Sequence, residues 1–207
     1  MRATTLFVTL FAPVLVHAAP VNLLTNGSFE DVNAAPGIQS QAANSWAIYN
    51  SLPGWNSTNG IEVRNNVAGT AQDGSSFVEL DTTRNSIAMQ TVSTQAGTWY
   101  DLSFWYAARP NTGGRAGDTN QISAYWNGLL LGLFNQAPTA QHQWVEYSFS
   151  VLGTGTDTVE FRALGTSDGY GGSLDNVRLS VPEPGSLALV LGALAASVGL
   201  RRRSQRS

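Results

Sequence analysis

Seven side chains in the middle of this chain combine ring faces with charge: Trp99, Trp105, Tyr125 and Trp144 beside Arg109, Glu146 and Arg162. Sugars present flat C–H faces that stack on aromatic rings, and their hydroxyls need carboxylate and guanidinium partners, so such a set suits a glycan platform. A second reading is open, because a β-sandwich can cover the outer faces of its sheets. The same rings would then pack under the segment 34–60, which carries Trp46, Tyr49 and Trp55.

Catalytic chemistry finds less to work with. Cysteine is absent, which excludes a disulfide framework and thiolate chemistry. A Ser-His-Asp triad would have to use His142, in a Gln-rich stretch with no nucleophile elbow beside it. It reads as a solvated loop histidine. Glu79 and Asp81 fall one residue apart on one strand face, about 7 Å, inside the range of glycosidase carboxylates. Two surface acids on one strand are common, so the pair reads as solvated. Phosphate loops, dinucleotide fingerprints and His-rich metal motifs are missing. The chain reads as a non-enzyme; a glycoside hydrolase is the weakest alternative.

Those side chains need strands to position them, and the period of the body is two. Tyr100, Leu102, Phe104 and Tyr106 alternate with Asp101, Ser103 and Trp105. The same alternation runs through Ile122 to Asn127, Val145 to Val151 and Val159 to Ala163. Further strands are expected at Ile61 to Asn65, Ser75 to Asp81, Ser86 to Thr94 and Ser173 to Ser180. Asn127-Gly128 is a preferred two-residue hairpin turn, which predicts that Trp126 and Leu129 lie on paired strands. Strands at this spacing without crossover helices predict an all-β body, an antiparallel β-sandwich or jelly roll, over residues 19–181.

Charge narrows the partners. The 207 residues contain no lysine, and their formal net charge is −3. Between residues 19 and 181, six arginines face thirteen carboxylates, a net of −7. An acidic body without a basic stripe argues against nucleic acid. It also predicts repulsion of acidic polysaccharide unless calcium bridges the two.

The two ends have their own signatures. Residues 1–18 place Arg2 before an apolar run and close on Val16-His17-Ala18, the pattern of an export signal helix cut after Ala18. At the other end, Val181-Pro182-Glu183-Pro184 precedes the uncharged stretch 187–200 and a cluster of Arg201, Arg202, Arg203 and Arg206. As a helix that stretch spans ~21 Å of a ~30 Å hydrocarbon core, and snorkelling arginines close part of the gap. The cluster would stay cytoplasmic, leaving the body outside a membrane crossed by a single transmembrane helix. Pro182-Glu183-Pro184, the short span and the arginines resemble the PEP-CTERM sorting tail, here residues 182–207. That resemblance implies an exported protein of the cell surface or extracellular matrix, first anchored in the inner membrane and then processed by exosortase.

The body carries a second resemblance. Residues 22–30 (Asn-Leu-Leu-Thr-Asn-Gly-Ser-Phe-Glu) are similar to the opening strand of galactose-binding-like jelly rolls, a group that includes many carbohydrate-binding modules. Ser173-Leu174-Asp175-Asn176-Val177 resembles their closing strand. The likeness implies association with polysaccharide, with a structural surface protein that contacts other proteins as the alternative. It also implies a structural calcium shared by Glu30 and Asp175, with Ser28 and Asp73 as further ligands. Mixed carboxylate and carbonyl oxygens suit that ion.

Overall fold

The computed structural model describes residues 21–33, 37–110 and 117–182. The export signal and the tail from Glu183 onward lie outside the described residues. Ten strands follow in order: β1 (Ser45–Leu52), β2 (Trp55–Asn65), β3 (Ser76–Glu79), β4 (Ile87–Ser93), β5 (Trp99–Ala107), β6 (Ile122–Trp126), β7 (Leu129–Phe134), β8 (Val145–Leu152), β9 (Thr156–Ala163) and β10 (Ser173–Ser180). A 3-10 turn, Gly117–Asn120, precedes β6. No helix among the described residues is long and apolar enough to cross a membrane.

All strand pairs are antiparallel, and their path runs β7-β6-β9-β4-β2-β3-β10-β5-β8, with β1 on the flank of β2. Strand β2 belongs to both layers. Its first residues pair with β4 (Asn56 with Met89, Ser57 with Ala88), and its last four pair with β3 (Glu62 with Glu79 through Asn65 with Ser76). The path therefore folds over at β2 into a first sheet, β7-β6-β9-β4, and a second sheet, β1-β2-β3-β10-β5-β8. Their inner faces meet where Phe104 of β5 touches Phe161 of β9 at 4.9 Å and Phe134 of β7 at 5.1 Å, both edge to face. Burial of this aromatic core is the dominant stabilisation, since without disulfides no cross-link adds to it. The expected all-β antiparallel sandwich is what the chain forms.

The Asn127-Gly128 turn sits where it was read, with both residues at positive φ (50° and 77°) and Trp126 paired to Leu129. Two expectations are corrected. The segment 34–60 is not a covering loop in its described part, 37–60, which contains β1 and the first half of β2, and Trp55 is core, 5.3 Å from Phe29. Serine and asparagine along that hairpin mask its alternation. The opening segment 22–30 is not a strand either. It lies along β10 on two separate backbone bonds, from the Leu23 amide to the Leu179 carbonyl and from the Val177 amide to the Gly27 carbonyl, with the Asn22 side chain between them donating to the Val177 carbonyl at 2.9 Å and accepting from the Leu179 amide at 2.9 Å. Gly27 lies so close that a Cβ there would stand 2.0 Å from the Val177 oxygen, so only glycine fits.

Candidate functional site

Strand alternation decides which of the seven ring-and-charge residues share a surface. On β5, Tyr100, Leu102, Phe104 and Tyr106 point into the core, so Trp99 and Trp105 point out from the second sheet. Trp105 stands opposite Glu146 of β8, and Trp144 lies two residues earlier on that face. Arg109 follows β5 on the same side. Tyr125 and Arg162 stand on the first sheet, whose outer face is the opposite surface of the molecule. One platform joining Trp105 to Tyr125 is therefore not formed, because β5 and β6 belong to different layers. On its own face Tyr125 is capped by the Arg162 guanidinium 4.1 Å from the ring centroid, with Glu160 paired to Arg162.

The outer face of the second sheet is covered in part, and the cover is made of segments 68–70, 140–144 and 168–171. Phe77 of β3 is fully buried there, with His142 at 4.8 Å and Trp144 at 5.9 Å, both edge to face. His142 is not a solvated loop residue. Its Nδ1 is 2.8 Å from the Thr70 carbonyl, which only accepts, so Nδ1 carries the proton and Nε2, 3.1 Å away, accepts from the Ser173 hydroxyl. Burial lowers its pKa, which keeps the ring neutral. The Trp144 indole donates to the same Thr70 carbonyl at 2.9 Å. Gly69, at φ +142°, gives the imidazole its space: a Cβ would come within 2.1 Å of His142 Cε1.

Beneath this cover runs a row of opposite charges. Glu62 and Glu79 face one another across the β2–β3 ladder. Arg64 contacts Glu62 and reaches Glu79 at 3.2 Å (Nε to Oε2). Arg109 Nη1 closes the row, 2.9 Å from Glu79 Oε1 and 3.0 Å from the Gly169 carbonyl. The Gly171 amide also donates to Glu79 Oε1 at 3.1 Å. Burial pushes the carboxyls of Glu62 and Glu79 upward, against the pull of the two guanidiniums. Neither Glu79 nor Asp81 is a surface acid: both are fully buried, and Asp81 accepts from the Asp168 and Gly169 amides at 2.8 and 3.1 Å. Glycosidase carboxylates need room for a water or a sugar between them, and these two are committed to holding a turn.

Over the Arg109 end of this row opens a cleft of about 500 Å³, lined by Thr70, Arg109, Gln141, His142 and Tyr170 among others. Tyr170 lies with its ring centroid 4.2 Å from the Arg109 guanidinium carbon. Of the seven ring-and-charge residues, Arg109 lines this cleft and Trp144 packs on its His142 wall. Trp105 and Glu146 stand beside it on the same face, half-buried and exposed respectively, and Trp99 lies at the far end of β5, 56% exposed. The sequence reading missed Tyr170 and Gln141 and took His142 for a solvated residue. The one visible signal was Tyr170 set between glycines in Asp168-Gly-Tyr-Gly-Gly.

The four calcium candidates bracket one turn, residues 72–76. Glu30 accepts from the Ser75 and Ser76 amides (2.8 and 2.6 Å) and the Ser75 hydroxyl (2.9 Å). Asp175 accepts from the amides of Gln72, Asp73 and Asn176 (2.8, 3.0 and 2.6 Å), and Ser28 donates to Asp73 at 2.7 Å. Burial pushes Asp175 up to about 7, against those amide bonds. Among the described residues no three His, Cys, Asp or Glu side chains stand close enough to hold a metal ion. A calcium ion here would have to draw the carboxylates of the turn together and displace amide donors.

No family model matches the chain. A multifunctional-autoprocessing repeats-in-toxin protein of Vibrio vulnificus is 28% identical over 162 residues, covering 75% of this chain and 3% of that protein. The chain thus spans a small fraction of the relative that it matches. Among solved structures, TmCBM61 in complex with β-1,4-galactotriose is similar at 16% identity and a TM-score of 0.48, over 78% of this chain and 99% of that one. A family 35 carbohydrate-binding module from Clostridium thermocellum is similar at 17% identity and a TM-score of 0.43, over 67% and 99%. Likeness at these scores carries no argument about function; the cleft has to carry it.

Proposed function

We propose that this chain is a non-catalytic, exported protein whose sandwich associates with polysaccharide through the cleft on its second sheet. The observation that carries the reading is the Arg109–Tyr170 stack at the cleft, with Gln141 and Thr70 beside it. A ring, a fixed guanidinium and neutral polar groups around one opening are what a sugar's C–H face and hydroxyls require. Trp105 and Glu146 extend the same surface. An open cleft buries little of its ligand, so binding is expected in the micromolar to millimolar range.

The reading includes the ends of the chain. Export through residues 1–18 and sorting by exosortase at Pro182-Glu183-Pro184 would place the body outside the cell, tethered through 187–200 until the tail is cut. Intact mass of protein from exosortase-positive cells tests this, and a mass that still includes residues 187–207 reduces the tail to a plain anchor. Calcium at Ser28, Glu30, Asp73 and Asp175 belongs to the proposal as a staple for the 72–76 turn.

A specific observation favours a second reading, contact with proteins. The edge strand β7 exposes Leu129, Leu130 and Leu133 on a sheet margin with open hydrogen-bonding groups. Affinity electrophoresis against a panel of neutral polysaccharides separates the two. Retardation that is lost in a folded Tyr170→Ala variant supports the cleft. No retardation by any polysaccharide leaves the protein-contact reading.

A further inference from the structure

The end of the sandwich where β10 runs out is built differently from the rest of the body. Ser180 lies opposite Asp101 of β5, Leu152 of β8 lies opposite Trp99, and the Leu23 amide bonds to the Leu179 carbonyl. The first sheet closes the same end. The Trp126 indole donates to the Leu152 carbonyl at 3.0 Å, and Thr94 and Asn127 both donate to Asp157. Segments 21–25, 94–101, 126–129, 150–157 and 179–182 thus form one tip.

Two properties set this tip apart. It exposes Val21, Leu23, Trp99, Leu129, Leu152 and Val181, half of the large apolar side chains exposed among the described residues. It is also almost free of charge. Its segments contain two charged residues, and one of them, Asp157, is buried, which leaves Asp101. The apolar side chains stand among Thr, Ser, Gly and Asn, whose polar groups need partners that hydrocarbon does not offer. Such a surface fits the headgroup level of a bilayer, where tryptophan is enriched and hydrogen bonds remain available. Anionic lipid repels the acidic body least at an uncharged tip.

The course of the chain brings a bilayer to this end. Strand β10 delivers Val181 and Pro182 to the tip, and four residues, 183–186, separate them from the uncharged stretch 187–200. From Pro182 to Leu187 a fully extended chain reaches at most ~18 Å, at ~3.6 Å per residue. The headgroup layer alone takes up about 5–7 Å of that. With the tail in a membrane, the tip is the part of the body nearest to it. So short a leash raises the local concentration, and a modest affinity for the surface suffices.

Resting on the reading of the tail as a membrane tether, we propose that this tip is a lipid-contact surface. It seats the body on phospholipid headgroups, with Trp99 and Leu129 at the interface and the cleft, toward the other end of β10, clear of the bilayer.

The test uses the full chain, which has no cysteine of its own, in phosphatidylcholine vesicles. Leu129→Cys places a polarity-sensitive dye on the tip, and Thr83→Cys places it on the exposed turn between β3 and β4, at the opposite end. Flotation after an alkaline wash reports whether the tail is inserted. The dye at 129 is expected to shift to shorter wavelength and to be quenched by lipid carrying a nitroxide near its headgroup. The dye at 83 should do neither. Trp99→Glu, at an exposed position, should abolish both signals at 129 and leave flotation intact. Vesicles that carry the chain while the dye at 129 reports water overturn the lipid surface and leave the tether reading standing. Failure to float overturns both. Equal quenching at 129 and 83 overturns the proposal, and so does a shift at 129 without lipid quenching, the mark of a protein contact there. A folded Trp99→Glu variant that keeps both signals overturns it as well. If that variant melts much lower, the comparison of 129 with 83 decides alone.

Discussion

The two outer faces of this sandwich start from the same strand alternation and end as different surfaces. On the first sheet, Tyr125, Glu160 and Arg162 remain at the surface, the charges pair with each other, and the guanidinium caps the ring. On the second sheet, Glu62, Arg64 and Glu79 are buried although they occupy outward positions, because three segments close over them and leave a cleft at one end. The lesson is that an outward position is not an exposed one. What lies over a strand decides whether its charges are solvated surface or the floor of a site, and that depends on loops far away in the chain.

The sharpest way to break this comparison is to cut the buried row. Glu79→Ala would leave Arg64 and Arg109 facing each other without the carboxylate that joins them, at an expected cost of about 3–5 kcal/mol, the usual penalty for halving a buried pair. Chemical denaturation measures it, and a loss under about 1 kcal/mol would mean that the row is solvated after all. The 72–76 turn comes next. If calcium staples it, the ion at about tenfold its dissociation constant should stabilise the body by about 1.4 kcal/mol, seen as a melting temperature lowered by chelator. An unmoved curve would leave the amide bonds as the whole staple.

Acidity tests the buried carboxyls together. Asp175, held at about 7 in the fold, keeps its proton through a range in which the unfolded chain, near 3.8, has lost it. Its contribution is therefore complete below about pH 4 and is lost as pH rises toward 7. Glu62, Glu79 and Asp81 are shifted in the same direction. Asp157 works the other way. Burial raises it, but hydrogen bonds from Thr154, Thr94 and Asn127 outweigh that and hold it at about 2, so its contribution is lost as pH falls from 3.8 toward 2. Melting temperature should peak in the mildly acidic range, about pH 4 to 5, and decline toward neutrality. Asp175→Asn should shallow that decline. The smallest effect belongs to the open face: Tyr125→Ala should change stability by less than about 0.5 kcal/mol and leave sugar binding unaltered. Lost binding in that variant would restore Tyr125 to the site.

Much of the scaffold was legible because it is local. The alternation along β5, β6, β8 and β9 and the Asn127-Gly128 turn are properties of neighbouring residues. Of the hairpin from Ser45 to Asn65 only the end, Ile61 to Asn65, was legible, because Asn50, Ser51, Ser57 and Asn59 interrupt the apolar positions before it. The site was legible only in part for a different reason. Alternation says that Trp105 and Tyr125 both point outward, but which sheet each strand joins depends on pairing between distant segments, such as Ser173 with Ala107. Arg109 was found from its type and neighbourhood. His142 was discounted because nothing near it in sequence announces Phe77, Thr70 and Ser173.

One further consequence follows from how β10 lies in the fold. Ser173, at its start, holds the His142 wall of the cleft, and Ser180, at its end, leads to the tail, ~23 Å away along the strand at about 3.3 Å per residue. If the tail is a tether and the cleft grips a polymer, tension between them runs lengthwise down β10. The strand is paired to β5 along both ends of its length and to β3 near its start, and the Leu23 amide bonds to the Leu179 carbonyl beside the exit. A lengthwise pull loads those bonds in shear, sharing the force among them, whereas a pull across the strand would open them one at a time. With a tethered tail and a ligand in the cleft, the arrangement would make the molecule mechanically strong along the line between them.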